Sequence, residues 1–409
     1  MSSGQKTPEG TADSESRGGP GLLFSPSAIV AGMIAVMVGY SSSVAIIFQA
    51  AEAAGASEAQ IGSWLWALGI GMGVTSFGLS LWFRMPVLTA WSTPGAALLV
   101  GSVAGLTLGE ITGAFVFCSV LLVFGAVTGW FERLMKLIPS ELAAAMLAGV
   151  LLQFGIRAFT AIETDPVMAG LMLLSFLILR PLLPRMAIPT TLLVGLVLLW
   201  FGGEFHYDFG AATLAGPVFV MPEFSLPALI GVGVPLFIVT MAGQNLSGLA
   251  VFRANAYRLS SSPLIGWTGA AGVLLAPFGG FAFGLAAITA TICMSDETGL
   301  PRQRRYISSV WAGVFYILTG IFAGWVVHLF AALPVAFVAS IAGLALLGTI
   351  AGSLAQSLGE TANRDAAFLT FIVTASGLSF LDIGSAFWGI VLGLAVSAFH
   401  RTLKKHLAK

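Results

Sequence analysis

Apolar residues run in long blocks along the chain, and polar residues gather in the short breaks between them. The blocks fall at about 27–50, 61–83, 88–107, 111–130, 140–157, 166–183, 187–202, 228–252, 262–276, 279–294, 306–328, 334–353, 365–379 and 383–400. A helix needs about 20 apolar residues to cross the hydrocarbon core, or fewer if it is interrupted and shielded by protein. Several blocks are near or below that length. The pattern therefore predicts an all-α integral membrane protein of fourteen transmembrane segments, some of them broken. Residues 1–25 are polar and rich in Gly, Ser and Thr, and read as a disordered cytoplasmic tail without the apolar core of a signal peptide.

Composition agrees with lipid as the solvent. Of 409 residues, 57% are hydrophobic and 9% charged, and the mean hydropathy is +0.96. A soluble domain carries about 25% charged residues. The formal net charge is zero, so a basic nucleic-acid surface is not indicated. Cys118 and Cys293 lie in apolar runs and read as small core residues. The histidines 206, 328, 400 and 406 lack metal-ligand spacing, and no cofactor or metal is expected.

Charge orients the blocks. With the N-terminus in the cytoplasm and the segments alternating, only Arg157 of the 18 lysines and arginines falls on the outer side. That is the positive-inside rule. Both termini are then cytoplasmic. Among the acids, Glu52, Glu58, Glu110, Glu163, Asp165, Glu204, Asp208, Glu223 and Asp382 fall outside.

Fourteen is twice seven, and an odd unit repeated once must be inverted in the membrane. The expected organisation is a first seven-span repeat over 26–203, an extracytoplasmic connection over 204–226, a second, inverted repeat over 227–400 and a basic tail over 401–409. The third segment of each half supports it. One begins Pro86-Val-Leu-Thr-Ala-Trp-Ser-Thr-Pro94-Gly95-Ala96 and the other Ala276-Pro277-Phe-Gly279-Gly280-Phe-Ala-Phe-Gly284-Leu-Ala. Each opens on proline, passes through poor helix formers and becomes an Ala-rich helix. A helix starting in mid-membrane leaves its first N–H groups unpaired and carries roughly half a positive charge there. Two such ends meeting at the midplane suit an anion such as a carboxylate. Thr93 is placed to cap the third segment, with Pro94 at its first helical position. Glycines 279, 280 and 284 would let the backbone approach a substrate closely. The competing explanation is that Pro and Gly merely kink packed helices.

At these residues the chain resembles the benzoate–proton symporter family of bacteria. The resemblance rests on Thr93-Pro94-Gly95-Ala96-Ala97-Leu98, on Gln244-Asn245-Leu246, and on Pro277-Phe278-Gly279-Gly280 with Leu285-Ala286-Ala287-Ile288-Thr289-Ala290. It runs from about residue 20 to 400. That family is similar to nucleobase–cation symporters and sulfate-type anion transporters. The likeness implies a core and a gate domain, a site lined by the first, third, eighth and tenth segments, and short β-strands before the third and tenth helices. It also implies the bacterial inner membrane, often with a homodimer formed through gate domains. Nucleobase transporters usually carry acids where this chain has Gly243 and, near the tenth helix, Phe283 or Gly284. Lacking them, the chain favours an anionic or apolar aromatic substrate.

The substrate-binding candidates follow. Gln244 and Asn245 lie inside an apolar span, where unpaired polar groups are expensive. They either donate to a substrate carboxylate or join helices. Thr93, Gly95 and Ala96 form the start of the third helix. Tyr40 and Ser42, within the run Tyr40-Ser41-Ser42-Ser43, either line the cavity or bond back to their own helix. Phe281, Ala282 and Phe283, with Phe278, offer an aromatic wall for a ring, although with 30 phenylalanines in the chain packing is the competing role. No Asp or Glu lies near the centre of a span; Glu110, Glu141, Glu360 and Asp382 stand near span ends. Proton coupling is expected through one of these or through a protonated substrate.

These residues point to a secondary active transporter of benzoate or a similar aromatic carboxylate, driven by protons and working by alternating access. A nucleobase transporter, an inorganic-anion transporter of sulfate type and a passive channel are the alternatives. No Walker-type loop is present, and neither a nucleophile–base pair nor a metal cluster suggests an enzyme.

Overall fold

The computed structural model describes residues 24–129, 139–184, 186–202, 214–257, 260–359, 363–381 and 383–407. Most of the N-terminal tail lies outside these residues. So do residues 204–213 of the connection, the cations Arg133, Lys136, Arg185 and Arg258, the acids Glu204, Asp208, Glu360 and Asp382, and His206.

The first half comprises α1 (Pro26–Ala53), α2 (Glu58–Phe83), β1 (Thr89–Trp91), α3 (Thr93–Ser102), α4 (Leu108–Thr128), α5 (Ser140–Thr164), α6 (Pro166–Leu182) and α7 (Ala187–Gly202). The second comprises α8 (Leu226–Ala254), α9 (Ser261–Leu275), β2 (Phe283–Leu285) and α10 (Ile288–Met294), then α11 (Tyr306–Ile321), α12 (Ala323–Ala331), α13 (Val335–Gly359), α14 (Arg364–Ala375) and α15 (Ser385–Leu407). The chain is a mostly helical membrane protein. Seven described helices are long and apolar enough to cross a bilayer, and α11 with α12, bent by 58°, makes one further apolar pair. The other predicted crossings coincide with shorter helices, from the 7 residues of α10 to the 17 of α6. α15 runs on to Leu407 through residues expected as a separate tail.

Local signals set several boundaries. α2 and α4 start on reciprocal capping boxes, Ser57 with Gln60 and Thr107 with Glu110, which satisfy donors the helix itself cannot. α4 stops at Gly129 in the left-handed region. α8 holds two π turns, Leu229–Gly233 and Thr240–Asn245. The first ends just before Pro235, whose missing N–H leaves the helical ladder one bond short.

The helices pack in two sets. α1, α2 and α11 lie along one another, α9 along α4 and α2, and both α3 and α10 against α1. In the other set α5 lies along α13, α14 and α15, and α6 along α7. α1 bridges to α13 and α7, while α3 and the second π turn of α8 reach α5. Large apolar side chains cover the outside: Phe201 and Val335 are each 85% exposed, a surface that lipid accepts and water penalises.

Residues 214–225 form an extended strap. Ala215 N–H donates to Ile321 O, Val218 N–H to Ser63 Oγ, Val220 N–H to Pro277 O and Glu223 N–H to Gly109 O, over 2.8–3.0 Å. The chain thereby ties α11, α2, the Pro277 turn and α4 together.

Candidate functional site

Two short strands organise the centre. β1 and β2 pair antiparallel with Thr89 opposite Leu285, Ala90 opposite Gly284 and Trp91 opposite Phe283. Ser92 N–H to Ala282 O (3.0 Å) and Ala286 N–H to Leu88 O (2.9 Å) lengthen the ladder. Buried strands need every edge group paired. On one edge, α2 supplies Ser76 Oγ to Thr89 N–H (2.9 Å) and Met72 Sδ to Trp91 N–H (3.0 Å). On the other, Asn245 Oδ1 of α8 accepts from Leu285 N–H at 3.0 Å. The strands implied by the family resemblance are present, and each leads into a short helix.

The cap of α3 differs from expectation. Ser92, not Thr93, caps the helix: its Oγ accepts from Gly95 N–H at 3.1 Å and its carbonyl from Ala96 N–H at 2.8 Å. Pro94 sits one position further in than predicted, and proline tolerates either of the first two positions. Gly95 and Ala96 thus have their amides engaged, and Pro94 has none. Thr93, half-buried, is the first-turn residue whose amide these bonds leave open. α10 begins at Ala287 without a side-chain cap.

The second π turn of α8 carries the amides. Asn245 is fully buried, accepts from Leu285 and donates its Nδ2 to Met241 Sδ at 3.3 Å. Gln244 is half-buried, and its amide has no partner among the described residues. It lies against β2, because a Cβ on Gly284 would stand 2.8 Å from Gln244 Cγ and 3.1 Å from Asn245 Oδ1. Gly243 faces α3 and α5: a Cβ there would lie 3.4 Å from both Pro94 Cγ and Leu147 Cδ2.

On α1, the hydroxyls of Ser42 and Ser43 both donate to Gly39 O at 2.9 Å, bonding back to their own helix. Ser43 also accepts from Trp91 Nε1 at 2.8 Å, which fastens β1 to α1. The Tyr40 ring packs on Trp91 with centroids 5.1 Å apart, and its hydroxyl is buried without a partner among the described residues.

Other candidates stand apart from this group. Phe281 is enclosed by Phe115 at 5.7 Å and Trp64 at 6.0 Å, and Phe283 packs toward Gly71 of α2. Both rings are fully buried, as is Ala282. Phe278 meets Phe219 of the strap at 5.8 Å. Gly279, left-handed at φ +89°, lets the chain turn against Trp64, and Gly280 packs on Leu275. Glu141, at a helix end as expected, is buried at 7% exposure.

Sequence reasoning missed Ser92 and Thr240. Thr240 Oγ1 donates to Ser92 Oγ at 3.0 Å, so the cap of α3 is itself held by α8. A hydroxyl inside the apolar run before Gln244 was the available signal, and its partner lies 148 residues away.

Comparison with known proteins then bears on this arrangement. Residues 23–399 match the family described as "Benzoate membrane transport protein". The inner membrane protein YdcO of Escherichia coli (strain K12) is 47% identical over 373 residues, which is 91% of this chain and 95% of that protein. The benzoate membrane transport protein of Acinetobacter baylyi is 40% identical over 374 residues, 91% of this chain and 94% of the relative. Among solved structures, the transmembrane domain of the cyanobacterial bicarbonate transporter BicA superposes with a TM-score of 0.59 at 12% identity, covering 92% of this chain and 96% of that one. The murine anion transporter Slc26a9 in its inward-facing state gives 0.60 at 14%, covering 92% and 68%. At such identities the structures speak for the fold alone.

Proposed function

The chain belongs to the benzoate membrane transport protein family, and on that premise we propose that it is a secondary active transporter carrying benzoate or a similar aromatic carboxylate together with protons. The observation that carries this reading is the β1–β2 pairing. It sets the starts of α3 and α10 at the two ends of one buried ladder, whose Gly284 lies against the Gln244 side chain. Both helix starts present the positive end of the peptide dipole. Gln244, Thr93 and the Tyr40 hydroxyl are the donors assigned to the carboxylate, and the Tyr40 ring, tilted against Trp91, is assigned to the substrate's ring. Phe281 and Phe283, both fully buried, are assigned to holding the site together.

The wider reading is a chain of fourteen spans as a 7+7 inverted repeat in the bacterial inner membrane, with both termini cytoplasmic. Antiparallel pairing between equivalent strands of the two halves supports it, since an inversion axis in the membrane plane reverses strand direction. The set around α1–α4 and α8–α12 acts as the core, and the set around α5–α7 and α13–α15 as the gate through which a homodimer forms. Alternating access is then a rocking of one set against the other. The proton enters with the acid itself or through a carboxylate at a span end.

The test is uptake of labelled benzoate into proteoliposomes under an imposed pH gradient. Uptake that collapses when the gradient is removed supports symport, and uptake indifferent to the gradient rejects it. The second reading is an inorganic anion such as sulfate or bicarbonate. Competition by bicarbonate or sulfate, with none by benzoate, would transfer the assignment to it. Uracil is expected not to compete, because Gly243 and Phe283 offer no carboxylate to its N–H groups.

A further inference from the structure

We infer that the second π turn of α8 is a positioning clamp. Thr240 holds the start of α3 and Asn245 holds β2, and between them they set where the Gln244 amide points. The inference rests on the preceding reading for the identity of the cargo. It reassigns Asn245 from substrate contact to positioning residue and adds Thr240 in the same role.

In an α-helix, residues 4 apart share a face and residues 5 apart do not. A π turn bonds i to i+5 and so brings Asn245 back over Thr240. Both side chains are fully buried, and each is committed to a different element. Thr240 Oγ1 donates to Ser92 Oγ, the atom that caps α3. Asn245 Oδ1 takes the Leu285 N–H, an edge donor of β2 that has no strand neighbour to receive it. Gly284 admits the close contact between α8 and β2. Two of the three polar side chains of the turn are thereby spent on fixing the two half-site entrances. The third, Gln244, is left unpaired between them. Gln244 is half-buried where its two partners in the turn are fully buried, so its amide is the one left facing open space.

The experiment uses the full chain in two preparations. The variants are Thr240→Val and Asn245→Leu, which keep volume and remove the bonding atoms. Their controls are Thr240→Ser and Asn245→Gln, which keep the hydroxyl and an uncharged amide acceptor. Hydrogen exchange in detergent should rise locally, at Gly95 and its neighbours for Thr240→Val and at Leu285 for Asn245→Leu. In proteoliposomes, KM for benzoate should rise about tenfold, the size of one misplaced hydrogen bond, with the maximal rate within about twofold. The two controls should return KM toward wild type. In a Gln244→Ala background, neither variant should raise KM further. A KM that stays at the wild-type value in both variants, or that rises equally in the Gln244→Ala background, overturns the clamp. If the wild type carries no benzoate at all, the cargo reading falls instead. The clamp is then judged by exchange alone, and unchanged protection at Gly95 and Leu285 rejects it.

Discussion

A methyl group added at Gly284 would stand 2.8 Å from Gln244 Cγ, too close for either to remain in place. Because the clash is with the middle of a side chain, Gln244 yields by rotating its amide away. Gly284→Ala is therefore expected to cost about 1–3 kcal/mol, mostly as lost substrate affinity. Uptake at low benzoate should fall roughly tenfold while the protein still elutes as a folded species by size exclusion. Gln244→Ala removes the donor altogether. It should raise KM by a factor corresponding to about 1–3 kcal/mol, with the melting temperature nearly unchanged, since the amide has no partner among the described residues. Ser92→Ala behaves differently. It removes a cap of about 1 kcal/mol and also strands the Thr240 hydroxyl, so both melting temperature and uptake should drop.

At the level of elements, a two-stranded sheet in a membrane interior survives only because its neighbours complete it. α2 closes one edge with Ser76 and Met72, α8 closes the other with Asn245, and α1 holds Trp91 through Ser43. Short helices then leave the sheet at α3 and α10, and their geometry is inherited from those bonds rather than from helix propensity. The strap is a second example. Ser63 Oγ accepts from Val218 N–H at 2.8 Å and donates to Phe278 O at 2.9 Å, so one hydroxyl joins α2, the strap and the Pro277 turn. Ser63→Ala should speed hydrogen exchange at Val218 and Val220 by more than tenfold if that bond supplies about 1.5 kcal/mol of local protection. Exchange at β1, held by separate bonds, should not change.

For the molecule as a whole, the two packing sets meet where Gly243 of α8 approaches Leu147 of α5. The proposed rocking of one set against the other would open and close that contact. A Leu147→Cys, Gly243→Cys pair bridged by a short bifunctional thiol reagent should arrest benzoate uptake, while either single variant treated alike continues to transport. The native Cys118 and Cys293 are both buried and should not interfere. Full transport with the bridge in place would mean that the two sets do not move apart there.

Membrane residence was readable from the chain because it depends on composition and on block length, both of which are local properties. The same holds for the positions of the helical blocks. The amide pair in α8 was visible as a polar interruption in an apolar run. Its division of labour was not: Asn245 is engaged and Gln244 is open because Leu285, 40 residues onward, happens to lie beside one and not the other. Likewise, Ser92 and Thr93 are equivalent caps in sequence, and Thr240, 148 residues away, joins only Ser92. The directions of Phe281 and Phe283 follow the strand pairing, which turns their rings toward Trp64, Phe115 and Gly71. Periodicity records which residues are apolar, but which neighbour each one meets is decided when distant segments pack.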